Sequence, residues 1–225
     1  MVVNDPKGEV YEATAGHMQR AGFRVVVIDP EDLTRSARFN PLLEAKTDIE
    51  LEQVAEILIR AGSSGSQKDA FWDHGAIRLV CVLLKLLRRS SREDAGYFTL
   101  GNLYRLLQHF GSDGSPLDDF AITWAENPDD PEDRSLFDEW KGATTGNPQA
   151  VQSFALTALT ALRAFTNRNM VELTAGSSFD LASIRQQKTI VYQVIPAQHA
   201  EYYGFWTSLF FRSVFNACMR RMPKP

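Results

Sequence analysis

The sequence has little cysteine and no long uninterrupted apolar run. Only two of its 225 residues are cysteine, and both Cys81 and Cys218 stand in apolar runs typical of buried thiols in a reducing compartment. A disulfide framework is therefore excluded, and a chain of this length builds a core without one. The longest apolar runs are interrupted by Lys85 and Arg212, so none reaches the roughly 18 residues of a membrane-spanning helix. The first residues do not form a signal peptide, and we expect this stretch of chain to be soluble.

Motifs of common nucleotide and catalytic sites are absent as well. The sequence contains no G-x-x-x-x-G-K-[ST] phosphate-binding loop, no G-x-G-x-x-G and no G-x-S-x-G. The segment most similar to a phosphate-binding loop, 62–68, follows a predicted helix rather than a strand, so it is not predicted to bind a nucleotide. None of the four histidines stands at ligand spacing from a second histidine or a cysteine, so no metal site is predicted. An autonomous enzyme built on Asp5, Glu9 and a histidine is disfavoured, and no catalytic residue is predicted.

The charge is small overall but unevenly distributed. The chain carries 24 basic and 28 acidic residues, a formal charge of −4. The segment Ser112–Trp140, called here the acidic segment, contains ten acids and one base, so it carries −9 and the rest of the chain +5. Two interpretations stay open: a solvated face whose aromatic residues hold short helices to a bundle, or a docking surface for a basic partner. The candidate contacts are Asp113, Asp118, Asp119, Trp124, Asp129, Asp130, Asp133 and Trp140.

Three β-branched runs predict a parallel sheet. Val2–Asn4, Arg24–Ile28 and Thr189–Ile195 read as buried strands, and the first two enclose a predicted helix, which makes a βαβ unit. Between about 43 and 175 there is almost no strand signal, and apolar residues recur at helical spacing. We therefore predict a mainly α fold, a helical bundle inserted in a partial α/β sheet. The strands on either side of the insertion must pair, because three separated strands are not stable alone.

Local signals predict where several helices begin. Thr47–Glu50 has the pattern of a capping box, and Asn147 precedes a proline at a first helical position. A helix over about 69–89 has apolar residues around most of its circumference, so it should be central. A long apolar helix is predicted from about His199 to Met222.

The segment Asp5–Glu9 is the most informative for function. An acid at the carboxyl end of a parallel strand points into the crevice where α/β proteins bind ligands. Lys7 suits a phosphate or a neighbouring carboxylate, Gly8 permits a tight turn, and Glu9 begins the next helix. An Asp-Pro pair also ends strands for purely structural reasons, so both interpretations stay open.

Six motifs follow one another along the chain. They are VVNDPKGEVYEAT (2–14), GFRVVVIDP (22–30), SARFNPL (36–42), FWDHGA (71–76), SFDL (178–181) and TIVYQVIP (189–196). In content and order they resemble the TraG/TraD-type coupling ATPases of type IV secretion systems. The resemblance spans the whole chain.

The resemblance implies a RecA-like motor domain with an inserted all-α domain, assembled as a membrane-anchored hexamer that uses ATP and Mg. It assigns 1–42 and 176–225 to the nucleotide-binding domain and 43–175 to the all-α domain. Asp5, Lys7 and Glu9 would border the nucleotide site of the intact motor. The chain begins after the expected Walker A loop and ends before the expected Walker B acids. We therefore expect this fragment to hold no cofactor and to hydrolyse no ATP.

The function implied by the resemblance is recruitment of cargo. The all-α domain faces the cytoplasm and captures the signal region of a secreted effector protein, or a relaxase, for the translocation motor. The alternative is a DNA-contacting domain that uses Arg88, Arg89 and Arg92, or Arg163 and Arg168. The acidic segment opposes direct DNA binding, and no membrane contact is expected for the fragment.

Overall fold

A computed structural model describes residues 1–62, 70–125 and 131–220 and divides the chain into two compact units. The sheet unit combines Met1–Glu44 with Thr166–Pro225, and the helical unit is Ala45–Phe165. In chain order the described elements are β1 (Val2–Asn4), α1 (Glu9–Arg20), β2 (Arg24–Ile28), α2 (Asp48–Gly62), α3 (Ala70–Ser90), α4 (Leu100–Gln108), α5 (Asp118–Ala125), α6 (Pro131–Thr144), α7 (Pro148–Ala161), α8 (Arg168–Leu173), β3 (Thr189–Gln193) and α9 (Gly204–Met219).

The sheet joins the two ends of the chain. Its three strands are parallel, in the order β1-β3-β2, and Val191 of β3 pairs with Val2 on one side and Val26 on the other. All five residues of β3 are buried, as expected for the central strand of a sheet. The predicted mainly α fold with a helical insertion in a partial parallel sheet is confirmed.

Aromatic packing closes the core of the sheet unit. Phe39 lies 5.8 Å from Phe179, 5.6 Å from Trp206 and 5.4 Å from Phe210, measured between ring centroids. These residues come from the segment that follows β2, from the segment that precedes β3 and from α9. Pairs of this geometry add stabilisation beyond the area they bury. The core therefore depends on stretches that are far apart in sequence.

The end of α8 pairs with the chain that leaves the sheet unit. The Phe39 N–H donates to the Leu173 carbonyl oxygen at 2.8 Å, and the Arg38 N–H donates to Ser178 Oγ at 2.9 Å. These bonds explain why α8 clusters with the sheet unit, which resumes at Thr166. The resemblance draws this boundary between 175 and 176 instead.

The last helix begins later than the sequence predicts. The chain makes a 3-10 turn at Ala197–His199, and α9 begins only at Gly204. His199 is held by a hydrogen bond between its Nδ1 and Glu31 Oε1, so side-chain bonding outside the helix competes with helix formation. The predicted end, Met222, lies outside the described residues.

In the helical unit, α3 is the central element. It packs against α2, α4, α5, α6 and α7, and its buried residues include Leu79, Leu83 and Leu86. The predicted central helix is thus confirmed. The neighbouring helix α2 begins with a reciprocal side-chain cap. The Glu50 N–H donates to Thr47 Oγ1 at 3.2 Å, and the Thr47 N–H donates to Glu50 Oε2 at 3.0 Å. The predicted capping box is therefore present.

The motif FWDHGA packs α3 against α7 through a glycine. A Cβ atom added at Gly75 would lie 2.2 Å from Cε1 of Phe154. The same ring is 5.5 Å from Phe71 and 5.8 Å from Trp72, measured between centroids. Only a residue without a side chain allows this approach.

We predict that Gly75→Ala destabilises the protein. Glycine to alanine normally stabilises a helix by about 0.5–1 kcal/mol, but here the methyl group meets a packed ring, and overpacking costs about 1–3 kcal/mol. Urea unfolding followed by circular dichroism measures the change. The control is Gly16→Ala in α1, where the nearest atom is Arg20 Nη1 at 3.6 Å, and which should be neutral or stabilising. Equal behaviour of the two variants would contradict the packing argument.

Candidate functional site

Asp5 joins the strand to the helix at the carboxyl edge of the sheet. The side chain is buried, and its Oδ2 accepts the Tyr11 N–H at 2.8 Å. Its own N–H donates to the Gln193 carbonyl oxygen at 2.9 Å. Gly8, at the start of α1, has a φ of +75° and no side chain to cap the helix. The carboxylate of Asp5 therefore supplies the missing cap.

Lys7 and Glu9 do not converge with Asp5 on one point. Both side chains are exposed, and Lys7 Nζ lies 3.7 Å from Glu9 Oε1. The buried carboxylate of Asp5 accepts from α1, whereas this ion pair lies in solvent. The role of all three residues beside a nucleotide in the intact protein stays a prediction.

The same edge of the sheet contains two polar residues that sequence reasoning did not select. Buried Asp29, after β2, accepts the N–H groups of Glu31 and Asp32 at 2.9 and 3.1 Å, and its Oδ2 lies 2.6 Å from Arg35 Nη2. Gln193, at the end of β3, is fully buried, and neither amide atom has a hydrogen-bond partner within the described structure. The only signal for Gln193 is one amide in an otherwise apolar strand.

The described part of the acidic segment lies in the helical unit. Asp129 and Asp130 fall outside the described residues, and the side chain of Asp133 is likewise not described. The roles of those three residues therefore stay predictions from sequence. The other five are distributed over α5, α6 and the turn before α5.

Asp118 and Trp140 form an internal pair. Trp140 is completely buried, and its Nε1 donates to Asp118 Oδ1 at 2.8 Å. Lys141 Nζ lies 3.0 Å from both oxygens of the same carboxylate. Burial favours the neutral acid, but the bonds from Trp140 and Lys141 outweigh it and lower the pKa of Asp118. Trp140 therefore holds α6 to α5 and does not reach a partner.

The remaining acids divide into bonded and unbonded groups. Asp113 accepts the Ser115 N–H at 3.0 Å, and hydrogen bonds from the side chain and the backbone of Ser115 lower the pKa of its carboxyl group. Asp119 and Asp138 are exposed, and their carboxylates have no partner among the residues the structure describes. Of the described candidates, Asp119 is thus the carboxylate that stays available to another molecule.

Trp124 lines a small apolar cavity of the helical unit. The cavity has a volume of about 210 Å³ and is called here the Trp124 cavity. It is lined by Leu87, Ser90, Tyr97, Asn102, Arg105, Leu106, Phe120 and Trp124. Asn102 Nδ2 donates to the carbonyl oxygens of Gly96 and Tyr97 at 3.2 and 3.0 Å, so the wall around Tyr97 is held in place before any partner arrives.

Sequence reasoning found one side of this cavity and missed the other. Trp124 stands out in the sequence as an aromatic residue among acids. Tyr97 lies in a three-residue 3-10 turn, Ala95–Tyr97, where no periodic pattern marks it. The turn is brought beside α5 by packing against α3, which no local signal records.

Within the described ranges, no three His, Cys, Asp or Glu side chains lie close enough to hold a metal ion. No helix of the described structure is long and apolar enough to cross a bilayer. The two cysteines form no disulfide and are half-buried rather than fully buried as expected. Burial raises the pKa of Cys81 to about 11, so this thiol is a poor nucleophile at neutral pH.

The fold and the site define a class of protein: a helical domain inserted in a partial parallel α/β sheet, with a surface cavity in the helical part. A family model described as type IV secretory system conjugative DNA transfer matches residues 1–225, and the chain belongs to that family. No curated protein sequence matched.

A solved structure supports the fold. The bacterial conjugative coupling protein TrwBdeltaN70, in its unbound monoclinic form, superposes with a TM-score of 0.51 over 100% of this chain, at 11% sequence identity. The chain spans about half of that protein, 52% of its length. At this identity the likeness is one of fold.

The Asp118 pair makes a prediction about pH. Because the pKa of Asp118 is lowered on folding from its ordinary value of 3.8, its stabilisation is complete above that value and is lost as the pH falls through the lower, folded-state pKa. Asp118→Asn should cost about 1 kcal/mol at pH 6 and show a smaller further loss on acidification. Urea unfolding at pH 6 and pH 2.5 measures both, with Asp119→Asn as the control. The same pH dependence in Asp118→Asn and wild type would contradict this.

Proposed function

We propose that the chain is the substrate-receptor part of a type IV secretion coupling protein. Its helical unit recruits a secreted effector protein, or a relaxase, through a basic segment of that protein. The observation that supports this most is the Trp124 cavity. Two of its lining residues, Phe120 and Trp124, belong to α5, the short helix that also contains Asp119, whose carboxylate has no partner among the described residues.

The two features have complementary effects on binding. Unpaired carboxylates on a segment of charge −9 attract a basic chain over several ångströms and speed its approach. A preformed apolar cavity then holds an anchor side chain away from water, where most of the binding energy of an interface is concentrated. A negative surface alone would attract many cations, so the cavity supplies the selectivity.

The dimensions of the cavity favour a side chain over a cofactor. At about 210 Å³ it is smaller than the roughly 300–1,000 Å³ of typical small-molecule sites. Its walls are the rings of Tyr97, Phe120 and Trp124, with Arg105 beside them. The guanidinium of Arg105 can donate to backbone carbonyl oxygens of an extended segment. We therefore expect the anchor to be one aliphatic or aromatic residue flanked by basic residues.

The intact protein would connect this receptor to a motor. We propose that it is a membrane-anchored hexameric ATPase with its receptor on the cytoplasmic side, and that ATP and Mg bind near the carboxyl edge of the sheet. Asp5, Lys7 and Glu9 would border that site. The family match and the parallel sheet support this arrangement.

DNA contact is the second candidate function. Arg88, Arg89 and Arg92 line one cavity of the helical unit, which favours an anion there. The same cavity contains Asp48 and Glu139, and these carboxylates would repel a continuous phosphate backbone. We therefore rank recruitment of a protein first.

The test begins by identifying a partner and then measures its affinity. The chain is immobilised to capture proteins from a lysate of the source cell, and the recovered secreted protein or relaxase is titrated against variants. Asp119→Lys should weaken binding several-fold at 50 mM salt and much less at 500 mM, because the attraction is screened. Trp124→Ala should weaken binding equally at both salt concentrations, because the lost contact is apolar.

The matched control is Glu12→Lys. Glu12 is an exposed acid on α1 of the sheet unit, so the variant makes the same change in net charge at another place. Its affinity should stay near that of the wild type. Unchanged affinity of both Asp119→Lys and Trp124→Ala would exclude the Trp124 cavity as the receptor surface.

A further inference from the structure

Arg105 is the one charged residue among the eight described residues that line the Trp124 cavity. It belongs to α4 and is exposed, and its guanidinium has no hydrogen-bond or ion-pair partner in the part of the chain that the structure describes. The other lining residues are apolar, aromatic or neutral polar. The cavity therefore combines apolar walls with one cation whose N–H donors are unused.

A docked partner changes the surroundings of this cation. Arginine is protonated at neutral pH, and in the free chain water solvates the exposed guanidinium. A segment that fills the cavity displaces part of that water, because Arg105 is one of the lining residues. A charge that loses water without gaining a counter-charge weakens a complex. The partner that fits best therefore brings a negative group close to its apolar anchor.

The size of the cavity limits how that negative charge is carried. A volume of about 210 Å³ is below that of typical small-molecule sites, so it suits one side chain. In the last residue of a protein, the side chain and the α-carboxylate leave the same Cα atom, which places two oxygens beside the anchor. A guanidinium presents two parallel N–H donors that match the two oxygens of a carboxylate.

Asn102 adds an acceptor to the same lining. Its Nδ2 donates to the carbonyl oxygens of Gly96 and Tyr97 at 3.2 and 3.0 Å, which fixes the orientation of the amide. Its Oδ1 has no partner among the described residues. An amide oxygen accepts a peptide N–H, so the lining offers an acceptor for the N–H of a terminal residue as well as donors for its carboxylate.

We propose that the Trp124 cavity binds the carboxyl terminus of its partner. The aliphatic or aromatic side chain of the last residue fills the cavity, and Arg105 pairs with the α-carboxylate. Basic residues precede this anchor and are attracted by the acidic segment. The assignment rests on the function proposed above, and it makes the anchor the last residue of the cargo protein instead of an internal one.

Fluorescence anisotropy with matched synthetic peptides tests the proposal on the whole chain. The probe is a hexapeptide labelled at its amino end, with three basic residues first and phenylalanine last. The free acid should bind about tenfold more tightly than the same peptide with a carboxamide end, since hydrogen bonds between charged groups contribute that factor or more. A third peptide, extended by two glycines after the phenylalanine, should bind as the carboxamide does, because its carboxylate lies too far from the anchor.

Variants of Arg105 connect the difference to one side chain. Arg105→Gln should remove the difference between acid and carboxamide, and Arg105→Lys, which keeps the charge but loses the paired donors, should keep part of it. The matched control, Arg20→Gln, removes the same charge from an exposed position on α1 of the sheet unit and should keep all of it. Circular dichroism checks that the variants fold. Equal effects of Arg20→Gln and Arg105→Gln would overturn the proposal.

The peptides also separate this proposal from the one on which it rests. Equal affinities of acid and carboxamide, with both lost in Trp124→Ala, would overturn recognition of a terminus and leave the cavity as a receptor for an internal anchor. Failure of every peptide to bind by about 1 mM would overturn both proposals. Displacement of the acid peptide by phenylacetate at equal concentration would overturn the assignment to a chain terminus in favour of a free small acid.

Discussion

The whole structure depends on the insertion of β3 between β1 and β2. β1 and β2 do not pair with each other; each hydrogen-bonds to β3, which arrives some 160 residues after β2. The sheet therefore forms only when the chain has passed through the helical unit and added β3. The entropic cost of closing a loop rises slowly with its length, so a long insertion between β2 and β3 is tolerated if the insertion is itself compact. The helical unit meets this condition, because its core is formed around its own central helix, α3.

The constraint explains where polar residues occur at the carboxyl edge of the sheet. Asp5 caps α1 and also bonds to β3, and Asp29 organises the turn after β2 with Arg35. Each carboxylate is buried, and each organises the segment that follows its own strand. Gln193 differs, since its buried amide is unsatisfied within the described structure. Such a group costs free energy and usually marks a place where something else is bound or fixed.

In the helical unit, two neighbouring acids have different roles: one is bonded within the packed core and the other is exposed. Asp118 serves the core through Trp140 and Lys141, whereas Asp119, one residue later, is exposed and has no partner for its carboxylate among the described residues. The acidic segment is thus neither a uniform docking patch nor only a solvated face. The basic residues divide in the same way: Lys85 and Arg88 are bonded to carboxylates, and Arg92 has no ion-pair partner in the part of the chain that the structure describes.

Much of the fold follows from local sequence. The strands read as Val/Ile runs, the capping box at Thr47 and the cap at Asn147 are present as predicted, and the central helix is where its apolar periodicity places it. The start of α9 was not predictable, because the chain around His199 is held by Glu31, a residue 168 positions away.

The candidate site was predictable only in part. Composition marked the acids and Trp124, but it did not distinguish Asp118 from Asp119, because only packing decides which carboxylate turns inward. Tyr97 was missed for the same reason. Its turn is brought to α5 by packing against α3, and no spacing along the chain records that contact.

Hydrogen–deuterium exchange of the chain with and without its captured partner tests the central claim most directly. If the helical unit is the receptor, the partner should slow exchange in the Ala95–Tyr97 turn, in α4 and in α5, which together surround the Trp124 cavity. Protection confined to the strand ends of the sheet unit, with α5 exchanging as in the free chain, would contradict it.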